Sequence, residues 1–181
     1  MHERRFHEGI ERLRSPERLA RLEVKRVVDL ALSGIHPDTV LDIGTGSGVF
    51  AEAFTAQGLA VTGLDANPGM LDVARRYVPG GDFHQGIAED IPFPDGSFDL
   101  VFMGLLLHET DDRLKALQEA YRIARTRLVV LEWPYLDEDF GPDLEDRLRP
   151  SKVIDLAHQA GFQEAETIRL EFLVLYRFDK N

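Results

Sequence analysis

Residues 40–50 read Val-Leu-Asp-Ile-Gly-Thr-Gly-Ser-Gly-Val-Phe. A short apolar run ends in a Gly-x-Gly-x-Gly turn, and a helical pattern of apolar residues follows the turn. Glycine lets the backbone turn sharply and lets a ligand approach without a Cβ in the way. The order of strand, glycine turn and helix predicts the first unit of a doubly wound α/β sheet.

The spacing of the glycines separates this turn from the dinucleotide-binding fingerprint, which is G-x-G-x-x-G. Here the glycines are Gly44, Gly46 and Gly48, and Val49 stands where the third dinucleotide glycine would be. Asp65 ends the next apolar run, in a position to face the turn. A purely structural turn without a ligand is the alternative interpretation.

These features resemble motif I of the class I S-adenosylmethionine (SAM)-dependent methyltransferases. The stretch 87–93, Ile-Ala-Glu-Asp-Ile-Pro-Phe, is similar to a segment that contacts adenine in the ubiquinone/menaquinone-biosynthesis-like branch. The resemblance implies SAM as cofactor, S-adenosylhomocysteine as product and a seven-stranded sheet. One departure is Ile87, which stands where relatives often have an aspartate that binds the adenine amine.

The rest of the chain predicts five strands alternating with helices, followed by two strands with no room for a crossover helix. Adjacent strands with a tight connection must be antiparallel. The fold class is therefore α/β, a doubly wound, mostly parallel seven-stranded sheet with a C-terminal antiparallel hairpin. The predicted strands cover residues 40–43, 59–64, 82–86, 98–103, 128–133, 164–170 and 172–179.

Helix boundaries follow from caps and prolines. We predict one helix from Ser15-Pro16 to Gly34, and another that Asp111 caps, with Ala124 on its apolar face. Residues 1–14 form a loose arm or short cap. We expect a single domain over 1–181, with an N-terminal cap and helix at 1–34 and a substrate loop at 134–149.

Composition limits the function classes. The chain has 181 residues and a net charge of −11, and this acidity disfavours a nucleic-acid substrate. It has no cysteine, which excludes disulfides and thiol chemistry. No membrane span is predicted, so we expect a cytoplasmic protein. An oligomer is possible, but nothing in the sequence indicates one.

Ligands of open α/β sheets bind at the carboxyl ends of the strands, where the strand order reverses. There the Asp65 carboxylate can accept hydrogen bonds from a ribose diol, or it can act only as a helix cap. The resemblance gives Asp42 a role at the methionine amino group, although it can equally hold the turn. It also places Met70 against adenine, although plain core packing is an equal alternative. The cofactor-binding residues it implies are Asp42, Gly44, Thr45, Gly46, Gly48, Asp65, Ala66, Met70, Ala88, Glu89, Met103 and Gly104.

The end of the fourth strand carries no acid that could hold Mg²⁺, because Met103 stands there, so no metal is predicted. His108 resembles the first histidine of the family's Leu-His-His stretch. It can serve as a general base, since its ordinary pKa suits proton removal near neutral pH, or it can cap and pack the next helix.

Acceptor recognition is expected from residues 1–14, from the first helix and from the loop 134–149. Trp133 and Tyr135 can stack on a substrate, and the acids of the loop can favour a cationic one. A solvated surface loop is the alternative. The resulting interpretation is an enzyme that transfers a methyl group from SAM to a small molecule without a metal. A non-catalytic SAM-binding protein and an NAD-dependent oxidoreductase are the rival interpretations.

Overall fold

A computed structural model describes residues 10–180 and contains one seven-stranded sheet of order β3-β2-β1-β4-β5-β7-β6. Its strands are β1 (Thr39–Ile43), β2 (Ala60–Asp65), β3 (Asp82–Gln85), β4 (Phe98–Gly104), β5 (Ala124–Glu132), β6 (Glu166–Arg169) and β7 (Val174–Asp179). Strands β1 to β5 are mutually parallel, and β7 runs antiparallel to both β5 and β6. The predicted fold class is confirmed.

Strand order reverses between β1 and β4. Ile43 pairs with Leu64 on one side and with Met103 on the other, so three strand ends meet at one edge of the sheet. The connections that follow β1 and β4 run to opposite faces of the sheet, and this leaves a crevice above the ends of the two strands. The glycine turn follows directly after β1 and therefore lies in that crevice.

Helices cover both faces of the sheet. They are α1 (Pro16–Leu22), α2 (Val24–Leu32), α3 (Val49–Ala56), α4 (Pro68–Tyr77), α5 (Arg113–Ile123) and α6 (Pro150–Ala160). Leu41 and Ile43 belong to the core under α5 and α6, whereas Val40 belongs to the core under α2, α3 and α4. This alternation along β1 is the two-residue period of a strand buried on both faces.

The predicted helix 15–34 is in fact two helices. Ser15 caps α1 as expected, since its side chain accepts a hydrogen bond from the Arg18 N–H. The helix breaks at Glu23, whose φ of 45° is left-handed. The Glu23 carboxylate accepts the backbone N–H of Glu171 at 2.7 Å. This long-range contact lies beside the break, and the spacing of apolar residues in the sequence predicts neither the contact nor the break.

Two boundaries after β4 also differ from the prediction. Asp112, not Asp111, caps α5, and its carboxylate accepts the Lys115 N–H at 2.9 Å. Strand β5 begins at Ala124, where the helical spacing predicted a residue of the helix face. The helix therefore passes into the strand with no loop between them.

Residues 134–149 are irregular apart from a short 3-10 turn at Leu144–Asp146. The loop is organised around the buried Arg147 guanidinium, which donates to the carbonyls of Pro134, Phe140 and Pro142 and to the Glu138 carboxylate. Within residues 10–180, no helix has the length and apolar character needed to cross a membrane. The predicted arm 1–14 lies mostly outside the described residues, and its last part, Ile10–Arg14, is a 3-10 helix.

Candidate cofactor and active site

The glycine turn after β1 has a backbone that side-chain-bearing residues rarely adopt. Gly44, Gly46 and Gly48 have φ values of 70°, 54° and 77°. The N–H of Gly44 donates to the carbonyl of Leu64 at 2.7 Å, which fastens the turn to the end of β2. A Cβ on Gly44 would lie 2.8 Å from the Leu106 side chain. Both the conformation and the close approach therefore require glycine at this position.

The Asp65 carboxylate faces the turn from the end of β2. One of its oxygens accepts the Gly46 N–H and the other accepts the Asn67 N–H, both at 2.8 Å. Burial raises the pKa of Asp65, and these two hydrogen bonds oppose the rise. Each carboxylate oxygen has two lone pairs, so Asp65 keeps acceptor capacity for a ligand while it holds the turn.

Asp42 lies beneath the turn, with 2% of its surface exposed. Its carboxylate accepts a hydrogen bond from the Thr45 hydroxyl at 2.7 Å, and the nearby Ala51 backbone N–H favours its ionised form. Burial raises its pKa from 3.8 to about 7. These contacts fit the interpretation in which Asp42 holds the turn.

A cavity of about 430 Å³ opens above the ends of β1, β2 and β4. Eight of the predicted cofactor residues line it: Gly44, Gly46, Asp65, Ala66, Met70, Ala88, Glu89 and Gly104. The other four, Asp42, Thr45, Gly48 and Met103, are buried and do not line it. The eight lining residues are thus placed where they can contact a ligand, and the four buried residues lie behind them.

The stretch 87–93 borders the cavity from the side of α5. Ala88 is buried, while Ile87 is exposed and lines the cavity. One oxygen of Glu89 accepts the backbone N–H of Asp111 at 3.0 Å and that of Asp112 at 3.3 Å. Glu89 therefore ties this stretch to the start of α5, which sequence reasoning did not predict.

His108 lies in a 3-10 turn, Leu107–Glu109, after β4, and its side chain is 6% exposed. Its Nδ1 is 2.8 Å from the Glu132 carboxylate, and its Nε2 is 3.6 Å from the Glu109 carboxylate. Burial lowers the pKa of His108, but the hydrogen bond and charge of Glu132 outweigh that effect and raise it. His108 does not line the cavity, whereas Glu109 does.

Several cavity residues were not named individually by sequence reasoning, among them Leu13, Arg18, Leu106 and Glu109. The first two come from the N-terminal segment. Arg14 anchors this segment to the glycine turn, because its guanidinium donates to the Ser47 carbonyl at 2.7 Å and pairs with Glu52. Leu13 and Arg18 lie in the arm and the first helix, from which acceptor recognition is expected, and Glu109 lies next to His108.

The predicted role of Trp133 in stacking on a substrate is wrong. Trp133 is 7% exposed and contacts Phe140, and Gly141 packs so closely that a Cβ there would lie 2.9 Å from the indole. Tyr135 packs under the Arg149 guanidinium instead. None of the residues 134–149 lines the cavity, so the acids of this loop do not contact a ligand in it.

Comparisons with known proteins agree with the site. A family model described as a methyltransferase domain matches residues 41–128. The chain is 38% identical over 112 residues to a demethylmenaquinone methyltransferase of Thermotoga maritima, covering 60% of this chain and 48% of that protein. It is 38% identical over 103 residues to a malonyl-[acyl-carrier protein] O-methyltransferase of Serratia marcescens, covering 56% of this chain and 40% of that protein. The chain thus spans about half the length of these curated relatives or less.

Among solved structures, a SAM-dependent methyltransferase from Aquifex aeolicus superimposes with a TM-score of 0.82 at 23% identity. The match covers 94% of this chain and 96% of that one, and it shows a shared fold. The glycine turn, Asp65 and the cavity residues other than Leu13 and Arg18 lie within the segment 41–128 that the family model matches. Over that segment the chain is similar to a methyltransferase domain, and its fold is shared with a SAM-dependent methyltransferase.

Proposed function

We propose that this protein transfers a methyl group from SAM to a small-molecule acceptor. One observation carries the proposal. The Asp65 carboxylate bonds the Gly46 N–H at 2.8 Å, on the wall of a cavity of about 430 Å³ at the strand-order reversal. A cavity of this volume falls in the range of roughly 300–1,000 Å³ typical of small-molecule sites.

The residues of the cavity fit a nucleoside joined to an amino acid. Asp65 has lone pairs left for the two hydroxyls of a ribose. Met70 and Ala88 offer apolar surface for a base, and Gly44, Gly46 and Gly104 let a ligand approach the backbone closely. SAM supplies, when bound, a methyl carbon activated by a positively charged sulfur. The protein then has to align the acceptor with that carbon and keep water out.

Removal of a proton from the acceptor is the step for which the site offers titratable groups. Glu109 faces the cavity, and burial raises its pKa. His108 is held by Glu132 behind it. A catalytic role for His108 stays a prediction, and in this arrangement it would act through Glu109.

The small size of the acceptor is supported by the cavity volume and by the net charge of −11, which disfavours nucleic acid. The two curated relatives named above act, by their names, on demethylmenaquinone and on malonyl-[acyl-carrier protein]. A cytoplasmic location and the oligomeric state stay predictions. So do the absence of a metal and the single domain over 1–181.

The test is a screen of acceptor compounds for S-adenosylhomocysteine release by the purified chain with SAM. We expect release above the acceptor-free control with at least one class of O–H or N–H compound. SAM binding without release for any acceptor would instead favour the non-catalytic interpretation.

A further inference from the structure

Arg18 is a cation on the wall of the cavity that the proposed function leaves without a role. It lies in α1, one turn after the Ser15 cap, and is half-buried. The segment that carries it is fixed to the cofactor turn by Arg14, whose guanidinium also lies 3.5 Å from the centre of the Tyr77 ring. Arg18 is therefore placed by structure that contacts the glycine turn directly.

The Arg18 guanidinium donates no hydrogen bond to any residue within 10–180. Every other buried or half-buried arginine of that range donates at least one; these are Arg14, Arg113, Arg122, Arg127, Arg147 and Arg177. Arg147, for example, has acceptors at four different residues. A guanidinium has five N–H donors. Those of Arg18 are not among the buried side-chain nitrogens without a partner, which within residues 10–180 are His84 Nε2 and Arg113 Nε, so Arg18 is a half-buried cation whose donors are open to a ligand in the cavity.

The acids around Arg18 do not supply that acceptor. Asp65 and Glu89 are engaged by backbone N–H groups. Glu109 is the carboxylate whose charge acts on Arg18, but the two form neither a hydrogen bond nor an ion pair within 4.0 Å. Burial also lowers the pKa of Arg18, and the Glu109 charge only partly offsets this. A ligand anion in the cavity, between Arg18 and Glu109, would accept hydrogen bonds from the Arg18 guanidinium.

We propose that Arg18 is an anion-binding residue of this cavity and that its ligand is a carboxylate. The planar guanidinium matches a carboxylate with two parallel hydrogen bonds, which a point charge cannot do. Two molecules can carry that carboxylate, the methionyl end of the cofactor or the methyl acceptor. The inference rests on the proposed function, because it takes the cavity to be the cofactor site. If the acceptor carries the carboxylate, the inference also replaces the sequence-based expectation of a cationic acceptor.

The experiment is calorimetric titration of four proteins: wild type, Arg18→Gln, Arg18→Lys and Arg76→Gln. Arg76 is an exposed arginine of α4, so its variant repeats the charge change away from the cavity. The titrants are S-adenosylhomocysteine and its decarboxylated analogue. In a second arm, benzoate, phenylacetate and succinate, each paired with its neutral amide, are titrated into protein saturated with S-adenosylhomocysteine. Circular dichroism verifies that each variant is folded.

If the cofactor carries the carboxylate, Arg18→Gln weakens S-adenosylhomocysteine binding about tenfold or more and leaves the decarboxylated analogue unchanged. If the acceptor carries it, Arg18→Gln leaves cofactor binding unchanged and abolishes a preference of the wild type for an acid over its amide. In either case Arg18→Lys is intermediate and Arg76→Gln behaves as wild type. Wild-type binding of S-adenosylhomocysteine with no effect of Arg18→Gln in either arm overturns this inference alone. Failure of the wild type to bind either nucleoside overturns the proposed function itself.

Discussion

Asp42, which is buried, and Asp65, which is half-buried, are two carboxyl groups that bond the same glycine turn in different ways. Asp65 bonds backbone N–H groups and still lines the cavity, whereas Asp42 lies below it and bonds Thr45. Spacing in the sequence identified both acids, because each ends or nearly ends an apolar strand. The spacing could not show which of the two acids lines the cavity. That depends on the pleat of β1 and on the packing of α3.

Stability should depend on pH through Asp42. Its pKa is raised from 3.8 to about 7, so the folded state binds a proton there that the unfolded state releases. Stability from this group is thus fully present near pH 4 and declines as the pH rises to about 7. Asp42→Asn is neutral and can bond both Thr45 and Ala51. We expect its free energy of unfolding at pH 8 to exceed that of wild type by about 2–4 kcal/mol.

Urea unfolding at pH 5 and pH 8 measures this difference. Asp99→Asn is the matched control, because burial raises the pKa of Asp99 but hydrogen bonds from Thr39, Asp38 and Arg125 lower it more. That variant should lose stability at pH 8. A loss of stability at pH 8 in Asp42→Asn as well would show that the ionised Asp42 carboxylate is needed for folding.

The elements were predictable where a local signal decides them. The Ser15 cap with proline at the next position begins α1 where the sequence predicts it. The terminal hairpin followed from the lack of room for a helix between β6 and β7. The break at Glu23 was not predictable, because the partner of that side chain is the backbone of Glu171, 148 residues away.

Packing between α3 and α4 depends on Gly48, although Gly48 does not line the cavity. A Cβ there would lie 3.0 Å from the backbone Cα of Ala74, and the φ of Gly48 is 77°. Gly34 has nearly the same φ, 79°, but a Cβ there would meet nothing within 4 Å. We expect Gly34→Ala to cost about 1–2 kcal/mol from the backbone alone, and Gly48→Ala about 1–3 kcal/mol more from overpacking.

Urea unfolding of the two variants gives the comparison directly. Because the backbone strain is common to both, the difference between them reports the contact of α3 with α4. Equal losses in the two variants would mean that the helices separate to admit a methyl group at no cost.

At the scale of the whole molecule, the cavity lies where strand order reverses in the sheet, and this could be derived from strand alternation alone. The arm and the first helix were expected to recognise the acceptor, but the identity of their wall residues, Leu13 and Arg18, could not be derived. It depends on how residues 10–22 cross the glycine turn, through the contact of Arg14 with Ser47, 33 residues along the chain. The assignment of the loop 134–149 to the substrate rests on its length and acids and stays a prediction; the contacts of Arg147 and Trp133 with this loop could not be derived from the sequence.

The central claim is that the crevice between β1 and β4 is a SAM site whose ribose contact is Asp65. Calorimetric titration of S-adenosylhomocysteine and of NAD into wild type and Asp65→Asn tests it most directly. The account predicts one S-adenosylhomocysteine bound per wild-type chain, no binding of NAD, and a loss of about 1.5–3 kcal/mol of binding free energy in Asp65→Asn. Binding of NAD in place of S-adenosylhomocysteine, or equal affinity in a folded Asp65→Asn, would contradict it.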